Sequence, residues 1–202
     1  SPVAESNVFE IFQRSAQAII LPRGTGPYIT SVDVSIVAKE GADVRFTTDG
    51  SEPVDSPTWE AYRTPFKISS VGISIVKAVA LQQGKAFSNV VSASFNVLER
   101  VQSVHIDPMS GLFTQTAKII MTCNTPGATI RYTSDGSKPN AASMVYSDGG
   151  IELTENGKQQ TFVINAIASK IDMGDSEVAT SQTITVQPKV DTPTLYPTPD
   201  EG

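Results

Sequence analysis

The chain has 202 residues, 39% hydrophobic and 18% charged, a balance that supports packed cores and excludes disorder as the default reading. A formal charge of -6 with singly scattered Lys and Arg excludes a basic footprint for nucleic acid, and no run reaches the roughly 20 apolar residues needed for membrane insertion. The lone Cys123 excludes an intrachain disulfide and is compatible with a cytoplasmic scaffold or with a disulfide-poor extracellular or cell-surface protein.

Short runs of Val, Ile, Thr, Tyr and Phe, punctuated by 14 Gly and 13 Pro, predict an all-β chain with little helix. Residues 1–15 form an N-terminal extension without a secretory signal pattern. There Ser6-Asn7-Val8 before Phe12 repeats Ser88-Asn89-Val90 before Phe95, as the end of a preceding repeat would. A short helix over residues 7–18 is the alternative. Strands follow near 18–21 and at Val32, Val34 and Ile36, which alternate with polar Asp33 and Ser35 to give one core face. Val44 and Phe46 alternate with Asp43, Arg45 and Thr47 in the same way, and 66–68, 73–81 and 90–97 complete the first set.

From residue 100 the pattern restarts. Gly41-Ala42-Asp43-Val44-Arg45-Phe46-Thr47-Thr48-Asp49-Gly50-Ser51-Glu52-Pro53 returns 86 residues later as Gly127-Ala128-Thr129-Ile130-Arg131-Tyr132-Thr133-Ser134-Asp135-Gly136-Ser137-Lys138-Pro139, with eight of the thirteen identical. Pro22 matches Pro108, Tyr62 matches Tyr146, and Ala78-Val79-Ala80 matches Ala166-Ile167-Ala168, with two-residue shifts that loops absorb. Strands in this half are predicted at 118–122, 129–133, 161–168 and 178–186. The organisation is therefore two tandem immunoglobulin/fibronectin-like antiparallel β-sandwiches of six or seven strands each, repeat 1 at 16–99 and repeat 2 at 100–188. A Pro-rich tail at 189–202 reads either as disordered or as the start of a further repeat. The linker at 98–103 lacks Gly and Pro, so a restricted angle and an elongated rod are expected.

The repeated segment is a turn motif. Asp49, Gly50, Ser51 and Pro53, with their copies Asp135, Gly136, Ser137 and Pro139, supply an Asx bond, a left-handed residue, a capping hydroxyl and a strand stop. Glu52 becomes Lys138 in the copy, a charge reversal that no metal or catalytic role resting on Glu52 would survive.

The pattern Gly-Ala-x-Ile-Arg-Tyr-Thr-x-Asp-Gly-Ser-x-Pro, then Tyr146, then Ala166 and Ala168, then Ser176, resembles the chitobiase/β-hexosaminidase C-terminal domain family. The second repeat is the closer match. The first departs in Phe46 and in the residues inserted before Tyr62. The resemblance implies a fibronectin-like accessory module without catalytic residues.

Candidate sites are few. No catalytic constellation, cofactor or metal site is expected: His105, the one histidine, reads as a surface or interdomain residue and Cys123 as an inert, partly buried thiol. Asp49, Glu52, Asp55 and Asp135 could offer calcium hard oxygen ligands, but no loop carries the alternating acids of an EF-hand. Trp59, in the insertion at 54–60, is the one candidate ligand contact, with cover for a sandwich edge as its alternative role. Arg45 and Arg131 are expected to pair with strand neighbours. The function expected is a non-catalytic structural or interaction module of a larger multidomain protein, with other protein domains, chiefly neighbouring repeats, as partners. A carbohydrate-binding accessory module and an intracellular cytoskeletal or scaffolding segment are the alternatives.

Overall fold

The protein, described here from a computed structural model over residues 12–190, is all-β throughout those residues and divides between Glu99 and Arg100 into two units. The first contains β1 (Ile19–Leu21), β2 (Tyr28–Ile29), β3 (Val32–Val37), β4 (Ala42–Thr47), β5 (Glu60–Ala61), β6 (Phe66–Ile68), β7 (Gly72–Gln82) and β8 (Val91–Leu98). These form two sheets, β1-β3-β6 and β2-β8-β7-β4-β5, antiparallel except for the β2–β8 pair. The sandwich exists because alternating strands bury one face each. Val32, Val34 and Ile36 of β3 are buried, as are Val76, Ala78 and Ala80 of β7 and Phe95 and Val97 of β8. Phe46 of β4 stacks on Phe66 of β6 at 4.6 Å, joining the two layers.

The second unit contains β9 (Val104–Asp107), β10 (Gly111–Thr114), β11 (Thr116–Cys123), β12 (Thr129–Thr133), β13 (Met144–Val145) and β14 (Ile151–Thr154). It ends with β15 (Gln160–Phe162), β16 (Asn165–Ser169), β17 (Ala179–Thr180) and β18 (Ile184–Gln187). One layer is β14-β11-β9, and the other comprises β13-β12-β16-β17 with β10-β18-β15. Its core repeats the first unit's position by position: Ile106 for Ile20, Ile130 for Val44, Tyr132 for Phe46, Ile164 for Val76, Ala166 for Ala78 and Val186 for Val97, all buried. Each fully buried aliphatic side chain of this kind stabilises by about 1.5–3 kcal/mol before chain entropy is counted.

Three differences from the sequence reading have local causes. The strands predicted at 161–168 and 178–186 are each broken in two, because the Ile164 amide donates to the Ser181 hydroxyl (2.8 Å) and the Ser181 amide to the Ile164 carbonyl (2.8 Å) in place of a regular ladder. No helix runs through residues 12–18. Arg14 instead bridges Ala86, and the Ser15 amide donates to the Ala86 carbonyl (2.9 Å); the remainder of the segment read as a possible helix, like residues 191–202 of the tail, lies outside the described residues. The connection is shorter than the 98–103 read as linker: Leu98 closes β8, Arg100 bridges Gly174, and Val101 is buried in the second core.

Candidate functional site

The two turn motifs have one geometry. In the first, the Ser51 amide and hydroxyl both donate to Asp49 Oδ1, at 3.0 and 2.5 Å, while the Thr47 hydroxyl donates to the Ser51 carbonyl at 2.7 Å. In the second, Ser137 donates twice to Asp135 Oδ1 and Thr133 to the Ser137 carbonyl. Gly50 and Gly136 take φ of 80° and 79°, the left-handed conformation that glycine adopts without steric cost. The Ser51 hydroxyl, then its amide, then the Thr58 hydroxyl stabilise the ionised Asp49 carboxyl and lower its pKa to about 2. Ser137 holds Asp135 below the usual carboxylate range in the same way.

The Glu52 to Lys138 reversal has a partner. Glu52 forms an ion pair with Lys77, and at the position equivalent to Lys77 the second unit places Asn165. Asn165 Nδ2 donates to the carbonyls of Gly136 (2.8 Å) and Ser137 (3.0 Å), so one unit ties its turn to the adjoining strand by charge and the other by amide bonds. Asp49 is occupied by Ser51 and Thr58 and Glu52 by Lys77, and among the described residues no group of three or more His, Cys, Asp or Glu side chains is placed to hold a metal. Pro53 is buried and Pro139 likewise, each ending its turn.

The serine of the family pattern is structural in both units. Ser88 and Ser176 are buried; each hydroxyl accepts from a strand amide, Ala80 (3.0 Å) or Ala168 (2.9 Å), and donates to the next residue's carbonyl. Tyr62 and Tyr146 occupy one position as well, their amides donating to the Val44 and Ile130 carbonyls. His105 is exposed on β9, and the half-buried Cys123 thiol donates to the Gln102 carbonyl (3.2 Å). None of these joins the others in a site.

Trp59 stands just before β5, on the edge of the larger sheet, and is 39% exposed. The Arg45 guanidinium lies over its ring at 4.3 Å and over the Phe87 ring at 5.1 Å, an arrangement that sequence reasoning did not foresee. Arg131 pairs differently, donating to the Ser143 carbonyl at 2.9 Å. Ser143 occupies the position of Trp59, 84 residues on, the same spacing as Tyr62 to Tyr146. That alignment was the available signal for the arginine's new neighbour. A cleft of about 210 Å³ opens beside Trp59. A larger groove, about 780 Å³, runs between β1 and β8, but it has no aromatic side chain and only Arg23 as a charge.

The shared turn, tyrosine and serine geometry is the ground for the family comparison. Residues 108–180 match the chitobiase/beta-hexosaminidase C-terminal domain family. The second unit is the part of the chain that carries this family likeness. Residues 34–95 of the first unit match the family described as Fn3 associated. Among solved structures, the chain is similar to the Clostridium thermocellum CbhA fibronectin(III)-like modules at 15% identity, covering 89% of this chain and 99% of that one, with a TM-score of 0.36. Murine CEACAM1b gives 9% identity, 88% and 95% coverage and a TM-score of 0.37. The titin domains z1z2 in complex with telethonin give 15%, 88% and 99%, and 0.30. No curated protein matches the chain.

Proposed function

We propose that the chain is a non-catalytic segment of a longer array of like modules, serving as spacer and protein-docking surface in a multidomain protein. One observation carries this reading: both units begin alike. Arg14 bridges Ala86 as Arg100 bridges Gly174, and the following amides, of Ser15 and Val101, donate to those same carbonyls at 2.9 and 2.8 Å. Ahead of Arg100 lies β8, the last strand of the preceding unit. At the same spacing of 86, Phe9-Glu10-Ile11-Phe12-Gln13-Arg14 aligns with Phe95-Asn96-Val97-Leu98-Glu99-Arg100. The sequence that closes the first unit thus has a counterpart ahead of that unit, which supports the reading. At the other end, Pro193-Thr194-Leu195-Tyr196-Pro197 follows Val104-His105-Ile106-Asp107-Pro108 by 89 residues, as a further opening strand would.

Truncation tests the reading. Removing residues 1–11 should leave the thermal midpoint of the first unit, followed by the fluorescence of its sole tryptophan, within about 1 °C, because on this reading the segment belongs to another module. A fall of several degrees would assign the segment to the first unit's own fold and end the array interpretation. Release of p-nitrophenol from a β-N-acetylglucosaminide substrate above the buffer blank would overturn the non-catalytic part.

A further inference from the structure

The cleft beside β5 is where the two units part company. Arg131 has a carbonyl partner; Arg45, its counterpart, has two aromatic rings and, among the described residues, neither a hydrogen bond nor an ion pair. Arg63, exposed on the same cleft, has no ion pair there either. Two cations thus share one small cleft in a chain of net charge -6. Stacking on Trp59 and Phe87 removes water from the guanidinium of Arg45 without satisfying its N–H donors, and a desolvated guanidinium is suited to bidentate recognition of a carboxylate. The other lining groups have a different character. Asp43 is an acceptor that pairs with neither arginine, Tyr62 is a phenol and Trp59 is a part-exposed flat ring.

We infer that this cleft binds a carboxylate-bearing sugar, such as a uronate residue of an acidic glycan. The arginines take the carboxylate, the indole takes a C–H face of the sugar ring, and Asp43 and Tyr62 take hydroxyls. An acidic peptide side chain would satisfy the arginines but bring no hydroxyl to Asp43. At about 210 Å³ the cleft is smaller than the roughly 300–1,000 Å³ of drug-sized sites, so it accommodates one sugar ring, not several. The site is confined to the first unit, since the second has Ser143 in place of Trp59 and no free arginine at this position.

The test is isothermal titration calorimetry of the full chain with trigalacturonate, galactotriose and a glutamate-rich hexapeptide. Trigalacturonate should bind, and weaken by about tenfold or more in Arg63→Gln and in Trp59→Ala, the loss expected of a charge-assisted contact. Galactotriose and the hexapeptide should each bind at least about tenfold more weakly than trigalacturonate. Arg63 is exposed, so circular dichroism of Arg63→Gln should match the parent. No heat with trigalacturonate at millimolar concentration, equal affinity for the neutral trimer or the peptide, or unchanged affinity in a folded Arg63→Gln would each overturn the assignment. None of these outcomes bears on the array reading, which the truncation tests separately.

Discussion

Replacing Ser88 with alanine isolates one hydrogen-bonding device. Ala80 is fully buried in β7, and its amide donates to the Ser88 hydroxyl, itself 3% exposed; the same hydroxyl donates to the Asn89 carbonyl at 2.9 Å. Alanine removes the acceptor of that amide. Removing one oxygen leaves a small void, so the dominant cost is a buried unsatisfied donor, about 1–3 kcal/mol. For a domain of this size each kcal/mol moves the midpoint by about 4–8 °C, so Ser88→Ala should lower it by roughly 4–24 °C. The protein supplies its own probe, because Trp59 is the single tryptophan and lies in the first unit. Its fluorescence on heating should show the drop, whereas Ser92→Ala on the exposed face of β8 should stay within about 0.5 kcal/mol. Ser176→Ala, with the same bonds to Ala168 and Glu177, should cost the second unit a comparable amount by circular dichroism. If Ser88→Ala and Ser92→Ala were indistinguishable, the reasoning from buried donors would be wrong.

Two further outcomes follow from the turns. Asp49 has a folded pKa of about 2 against an ordinary 3.8, so its contribution is present above about pH 4 and lost as pH falls through 2; urea midpoints read by Trp59 fluorescence should fall across that window, and less steeply in Asp49→Asn. An identical pH profile in the variant would refute the assignment. Glu52→Lys should cost no more than about 1 kcal/mol, as expected for a part-exposed ion pair, and combining it with Lys77→Asn should recover part of the loss by recreating the arrangement around Asn165. Additive losses across that cycle would show that the two positions are not coupled.

Much of the architecture was legible because the repeat and the period-two alternation are local signals. Val32, Val34, Ile36, Val44 and Phe46 are buried where the pattern placed them, and 66–68 and 129–133 match β6 and β12. What was not legible depends on distant partners. Two-residue strands such as β2, β5 and β13 carry no periodicity, and their existence follows from pairing with β8, β4 and β12. The break between β15 and β16 comes from Ser181, seventeen residues beyond Ile164. The charge reversal at Glu52 looked like an isolated change until register placed Lys77 and Asn165 beside the two turns. Trp59 was visible as the odd aromatic residue in an insertion, but its stacking on Arg45 required β5 to pair with β4.

Under the docking role proposed above, the two units differ in where a partner would attach. In the first unit both sheets end in strands of only two or three residues, β2 and β5 for the larger, β1 and β6 for the smaller. Edge strands this short are a common protection against edge-to-edge pairing. Under the proposed docking role, recognition draws on side chains. The buried positions cannot supply it, since they repeat from one unit to the next and serve packing in both. On the face formed by β4, β5 and the insertion that leads from one to the other, equivalent residues diverge, Trp59 for Ser143 and a stacked Arg45 for a bonded Arg131. Duplication provides two scaffolds of one kind, and the insertion at 54–60 gives the first a surface that the second lacks.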